Sequence, residues 1–207
     1  MGQGAGKGPV DPGPAVRLAV VGAGVIGRTH AALAARLPGI RLVGLADPDP
    51  AARELAGRLG VPWFAHHREL LEAAAPEGVV IATPTATHPE VGLDCARHGV
   101  QLLVEKPLAA DLAGGRRLVD GARKQGVRLL VGHHRRFNPA VEAVRRAVAA
   151  GVLGRLVAVS VLWTVRKPDA YFDVPWRRRP GAGPVHTNLI HELDSLRVIA
   201  GEIARVS

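Results

Sequence analysis

Three glycines at the spacing Gly22-x-Gly24-x-x-Gly27 stand between an apolar run, Val16 to Val21, and a helical pattern through His30, Leu33 and Leu37. In that setting each glycine has a separate job. Gly22 permits a tight turn, Gly24 lets a diphosphate approach the backbone, and Gly27 allows the helix to pack close to the strand. The helix start, at Val25 and Ile26, then faces the anion with free N–H groups. Some twenty positions further on, Asp47 ends a second apolar run, where a carboxylate accepts hydrogen bonds from an adenosine ribose. No Arg or Lys lies within Asp47-Pro48-Asp49-Pro50, so a 2′-phosphate would meet repulsion, which favours NAD over NADP. The same carboxylate would also serve as a cap for the following helix.

Lys106, in Glu105-Lys106-Pro107, follows a strand C-terminus, the edge at which open parallel sheets place their ligands. Beside a nicotinamide and a hydroxylated substrate, its ammonium would hydrogen-bond the reacting oxygen, and burial would lower its pKa. Read on position alone, it is equally an exposed lysine at a strand end. His191 and Asp194 are three residues apart in a helical pattern, so the carboxylate could orient the imidazole in a proton relay. A histidine with satisfied hydrogen bonds on a helix has the same sequence. His133 and His134 form a pair with no metal-ligand spacing around them. Arg135 and Arg136 are anion-binding candidates or solvated surface.

The elements that must position these groups alternate. Strands are predicted at Val16–Val21, Ile40–Ala46, Trp63–Ala65, Gly78–Ala82, Gln101–Glu105 and Val127–Gly132. Helices are predicted from the glycine turn, at Ala51–Leu59, Arg68–Ala74, His88–His98 and Leu112–Gln125. Such alternation needs crossover connections and a parallel sheet covered on both faces. After His133 the rhythm changes to an amphipathic helix, Pro139–Ala150, and a longer strand, Leu156–Trp163. A proline-bearing loop, Thr164 to Pro184, leads to a helical stretch, Val185–Ala200, and the start of another strand at Ile203–Ser207. The expected organisation is a flexible leader over residues 1–14, a dinucleotide-binding domain over 15–133, and the start of a second α/β domain over 134–207.

The 207 residues are 47% hydrophobic, which supports a folded α/β protein rather than a disordered one, and aromatics at 3% leave an aliphatic core. Cys95 is the single cysteine, which excludes an internal disulfide framework and makes the cytoplasm the simplest expectation. The leader lacks an apolar signal-peptide segment, and no run reaches the roughly 18 residues of a membrane helix. Of the +9 formal charge, residues 1–133 hold 15 basic against 12 acidic side chains, and residues 134–207 hold 12 against 6. The basic excess thus lies in the last third, from an arginine-rich composition or as an attraction for an anionic substrate. Without interleaved aromatics it does not predict nucleic-acid binding.

Taken together, the chain resembles the Gfo/Idh/MocA family of oxidoreductases from Val16 onward. The resemblance rests on Gly22-Ala23-Gly24-Val25-Ile26-Gly27, Ala46-Asp47-Pro48-Asp49, Ala82-Thr83-Pro84-Thr85, Glu105-Lys106-Pro107, Gly132-His133-His134-Arg135-Arg136-Phe137-Asn138-Pro139 and Asn188-Leu189-Ile190-His191-Glu192-Leu193-Asp194. It implies a Rossmann domain followed by a domain with an open, mostly antiparallel sheet that covers the nicotinamide and often mediates homo-oligomer formation. It also implies a polyhydroxylated small-molecule substrate between the domains. The lysine of Glu-Lys-Pro, Lys106, would hold the reacting hydroxyl; His191 would take its proton. Cofactor contacts would further involve Thr83, Pro84, Thr85, His88, Glu105 and Arg136, and substrate contacts Trp176, Arg177, Thr187 and Asn188.

Two departures from the family pattern stand out. Many members place an aspartate four residues before the catalytic histidine, where this chain has Thr187, so Asp194 is expected to supply the supporting carboxylate. Members are also considerably longer, which leads to the expectation of a C-terminally truncated second sheet, weaker NAD binding and a tendency to aggregate. The leading reading is an NAD-dependent dehydrogenase acting on a secondary alcohol of a sugar, cyclitol or hydroxylated ring acid. The alternatives are an NAD-dependent glycoside hydrolase of the same family and a non-catalytic NAD-binding protein.

Overall fold

Apolar runs of two to seven residues form the strands of a parallel sheet. The computed structural model describes residues 14–178, 183 and 185–206. Six strands, β1 (Val16–Val21), β2 (Ile40–Ala46), β3 (Trp63–Phe64), β4 (Gly78–Ile81), β5 (Gln101–Val104) and β6 (Leu129–Val131), lie in the order β3-β2-β1-β4-β5-β6. Every pairing is parallel. This is the doubly wound Rossmann arrangement, and its order reverses beside β1, between β1 and β4.

Helices α1 (Val25–Ala34), α2 (Ala52–Leu59), α3 (His67–Ala74), α4 (His88–Arg97) and α5 (Leu112–Lys124) make the crossovers. Because successive strand residues point to opposite faces, the apolar runs build two cores. Ala19, Val21, Val79, Ile81, Leu102 and Val104 pack with residues of α3, α4 and α5. Val20 and Val80, with Leu42 and Leu45, pack with α1 and α2 on the other side. Leu130, on the edge strand β6, stays 62% exposed. The boundaries expected from periodicity shift by one or two residues only; the strand expected at Val127–Gly132 shortens to Leu129–Val131.

Beyond β6 a single turn of 3-10 helix, His134–Phe137, leads into α6 (Pro139–Ala149), which Asn138 caps through its side chain. The last helix, α7 (Ile190–Ala200), packs against α6 and against the His134–Phe137 turn, and is preceded by a π-helical turn, Val185–Leu189. The strand expected at Leu156–Trp163 is absent: the segment is irregular, with Val157 84% and Leu162 89% exposed. A strand exists only when a neighbour takes its N–H and C=O groups, and no described segment pairs with this one. Residues 201–206 are likewise irregular, so the strand expected from Ile203 does not form among them. An antiparallel second sheet is therefore not seen. All but Pro14 of the expected leader lies outside the described residues, as does Ser207. Among the described residues no helix is long and apolar enough to cross a membrane, and no cluster of His, Cys, Asp or Glu is placed to hold a metal ion.

Candidate active site

The parallel sheet puts the C-termini of all its strands along one edge, and the turns that leave β1, β2, β4, β5 and β6 carry the residues singled out by spacing. At Gly22, φ is +100°, and an added Cβ would sit 2.6 Å from the carbonyl of Ala82 at the end of β4. At Gly27 it would lie 1.8 Å from the Gly22 oxygen, so α1 packs on the turn at a separation only glycine permits. Gly24 differs, since a Cβ there would meet nothing within 4 Å. It faces open space, where a ligand can reach the backbone.

Gly24 is also the N-cap of α1; no side chain caps it and no acidic residue stands in the first turn. The free N–H groups of this helix start, flanked by Val25 (84% exposed) and Ile26, suit a diphosphate. Asp47 closes the turn from the side. Its Oδ2 accepts from the Ala23 amide at 2.6 Å and its Oδ1 from the Asp49 amide at 2.8 Å. Asp47 does not itself cap the next helix: at the start of α2 the Ala51 amide donates to Asp49 Oδ1 at 2.9 Å. Each carboxylate oxygen keeps a second lone pair for a ribose hydroxyl. The residues present therefore fit a dinucleotide.

After β4, the Thr83-Pro84-Thr85 turn is braced by Thr87, whose hydroxyl donates to the Pro84 oxygen and accepts from Thr83 Oγ1, both at 2.8 Å. His88 is only 1% exposed, and its ring nitrogens lie 2.9 Å from the main-chain oxygens of Thr83 and Pro107. It ties the turn after β4 to the turn after β5.

Glu105, 7% exposed, receives His30 Nε2 on Oε1 at 2.8 Å and the Lys106 amide on Oε2 at 3.2 Å. Burial raises its pKa, but the His30 hydrogen bond and charge, with Lys106, hold the carboxyl below its ordinary value. Gly132 makes room for it: a Cβ there would come within 2.9 Å of Oε1. His30 is the partner that sequence reasoning missed, since nothing in a helical pattern points a histidine at a residue 75 positions away.

Lys106 Nζ donates to the main-chain oxygen of Thr187 at 2.9 Å, so the turn after β5 and the π-helical turn meet at this side chain. Burial lowers its pKa, Glu105 opposes that, and Arg135 and Lys167 add to it. His191, on the first turn of α7, is 6% exposed. Burial, then Lys106, Arg135, His134 and His133, push its pKa down to about 4. The ring of His134 is in edge contact with it, with centroids 4.8 Å apart, and that of His133 is 6.3 Å away.

Asp194 does not orient His191. Its buried carboxylate takes a forked hydrogen bond from Arg136, with Nε at 2.8 Å from Oδ2 and Nη2 at 2.6 Å from Oδ1, and stands 3.9 Å from His133 Nδ1. A guanidinium matches a carboxylate with two parallel bonds, which an imidazole cannot do. The same pairing engages Arg136, expected as a cofactor contact. Arg135 pairs with Glu192. Thr187 Oγ1 donates to the Gly183 oxygen and accepts from Asn188 Nδ2, so their side chains bond to each other while the Thr187 main chain holds Lys106. Arg177 donates to the Tyr171 oxygen and lies 4.0 Å over that ring. The side chain of Trp176 lies outside the described residues.

Residues 16–133 match the oxidoreductase family, NAD-binding Rossmann fold, and residues 141–207 match the Gfo/Idh/MocA C-terminal domain. The chain belongs to the Gfo/Idh/MocA oxidoreductase family. It is 35% identical over 188 residues to the rhizopine catabolism protein MocA of Rhizobium meliloti, covering 90% of this chain and 57% of that protein. With the inositol 2-dehydrogenase of Rhizobium meliloti (strain 1021) the identity is 36% over 189 residues, covering 90% and 56%. Among solved structures, the WlbA dehydrogenase from Bordetella pertussis, in complex with NADH and UDP-GlcNAcA, aligns with a TM-score of 0.82 at 28% identity, covering 90% of this chain and 59% of that one. The chain thus spans a little over half the length of these relatives.

Proposed function

We propose that this chain serves an NAD-dependent oxidoreductase that moves hydride between a secondary alcohol of a sugar, cyclitol or hydroxylated ring acid and the nicotinamide. The observation that carries the reading is the convergence of Lys106 and His191 at the strand edge that also bears the glycine turn, the topological position at which such sheets hold nucleotides. Bound NAD⁺ supplies the hydride acceptor. The chain's own residues do the rest. The N–H groups of α1 and the Asp47 carboxylate hold the diphosphate and ribose. The His30–Glu105 pair fixes the base of the Lys106 turn, and the lysine ammonium hydrogen-bonds the substrate oxygen once it leaves the Thr187 carbonyl. His191, kept neutral by burial and surrounding cations, takes the hydroxyl proton. The relatives support the substrate class: one is named an inositol 2-dehydrogenase, and another was solved with NADH and UDP-GlcNAcA.

The test is a split between binding and turnover. Lys106→Ala should retain NAD⁺ affinity in calorimetry while oxidation of a polyol falls by roughly 100-fold or more, the range for a positioned acid–base group. Untouched turnover would deny Lys106 a chemical part, and NAD⁺ binding with no turnover by the unaltered chain would make it a nucleotide-binding protein.

A further inference from the structure

The acceptor of the substrate proton sits where a proton cannot stay. The charges that act on His191 are Lys106, Arg135, His134 and His133, and no carboxylate is among them. Asp194, one turn along α7, is engaged by Arg136, and Glu192 by Arg135. His191 Nδ1 is buried with no hydrogen-bond partner among the described residues. One route outward has the right chemistry. His134 is exposed to solvent, its ring meets that of His191 at 4.8 Å between centroids and 63° between planes, and an imidazole ring carries both a proton donor and a proton acceptor.

We propose that His134 is the proton exit of this site, receiving from His191 the proton taken off the substrate hydroxyl and handing it to bulk water or buffer. The inference rests on the dehydrogenase reading above. In the oxidation, the substrate O–H bond breaks and its proton goes to His191. The C–H bond breaks with its electron pair, which leaves as hydride to NAD⁺, and the C=O bond forms. The proton then moves from His191 to His134 and out, which restores a neutral His191 for the next cycle. Alcohol and NAD⁺ thus give carbonyl, NADH and one released proton. His134 acts through His191 and does not touch the substrate.

The experiment replaces His134 with Gln and, separately, with Ala, both tolerable at an exposed position, and measures polyol oxidation in weak buffer with and without added imidazole. Turnover should fall about ten-fold, less than the roughly 100-fold of a full acid–base group, with an unchanged KM for NAD⁺, and imidazole should restore it. His191→Gln should be inactive with or without imidazole. A second readout needs no cofactor. In nuclear magnetic resonance titrations of the histidine rings, His134→Gln should move the His191 midpoint upward, because a neighbouring charge that opposes its protonation is gone. Unchanged turnover, a loss that imidazole does not relieve, or an unmoved His191 midpoint would each overturn the exit role and leave the dehydrogenase reading intact. If the unaltered chain made no NADH from any polyol, both would fall together.

Discussion

The ammonium of Lys106 is held by the backbone of Thr187, not by its side chain: Nζ donates to the main-chain oxygen across 2.9 Å. The Thr187 hydroxyl bonds to Gly183 and Asn188 instead. Thr187→Ala should therefore keep the hold on Lys106. Thermal unfolding should register less than about 1.5 kcal/mol, the net worth of a neutral hydrogen bond, and calorimetry should find NAD⁺ affinity unchanged.

Gly24 and Gly27 make opposite predictions from one substitution. A Cβ at Gly27 would strike the Gly22 oxygen, and Gly27→Ala should destabilise the domain by about 1–3 kcal/mol or more, as overpacking does. A Cβ at Gly24 meets nothing, so Gly24→Ala should unfold at the unaltered temperature yet bind NAD⁺ more weakly, because the methyl occupies the approach of the diphosphate. Melting curves with and without NAD⁺ separate the two effects.

Asp47 serves the turn and the nucleotide at once. Asp47→Ala removes charge-assisted bonds worth about 1.5–3 kcal/mol, so the Kd for NAD⁺ should rise roughly ten- to hundred-fold. Discrimination against NADP should shrink as well, since the carboxylate that would face a 2′-phosphate is gone. Parallel calorimetric titrations with the two nucleotides check both statements.

His191 carries a signature in pH. Its pKa is pushed down to about 4, and it accepts a proton only when neutral, so the acid limb of oxidation should lie near that value and not near the ordinary 6.5. The same depression acts on stability. Between about 6.5 and 4 the unfolded chain binds a proton that the folded chain refuses, so this contribution is complete above the upper value and is lost as pH falls through the window. Asp194 is not among the groups that set the His191 value. Asp194→Asn should therefore lower the melting temperature, by weakening the Arg136 fork, without moving the acid limb.

The nucleotide half of the site was legible because its requirements are local. Gly22, Gly24 and Gly27 act within one turn, and the strands around them are continuous apolar runs whose period and punctuation identify them. The other half depends on pairings that sequence distance hides. Spacing of three on a helix brings His191 and Asp194 to neighbouring positions, but rotamer and partner decide the bond, and the fork of Arg136 took the carboxylate. His30 and Glu105, or His134 and His191, meet only because the sheet edge gathers distant turns. Leu156 to Trp163 has the composition of a strand, and composition supplies no pairing partner.

Net reduction of the nucleotide is the direct readout of a dehydrogenase built on Lys106 and His191. The unaltered chain, given NAD⁺ and a panel of sugars, inositols and cyclic hydroxy acids, should accumulate NADH by absorbance with at least one of them, and Lys106→Ala should abolish that signal. Consumption of a glycoside without accumulation of NADH, or no reaction across the panel with NAD⁺ demonstrably bound, would contradict it.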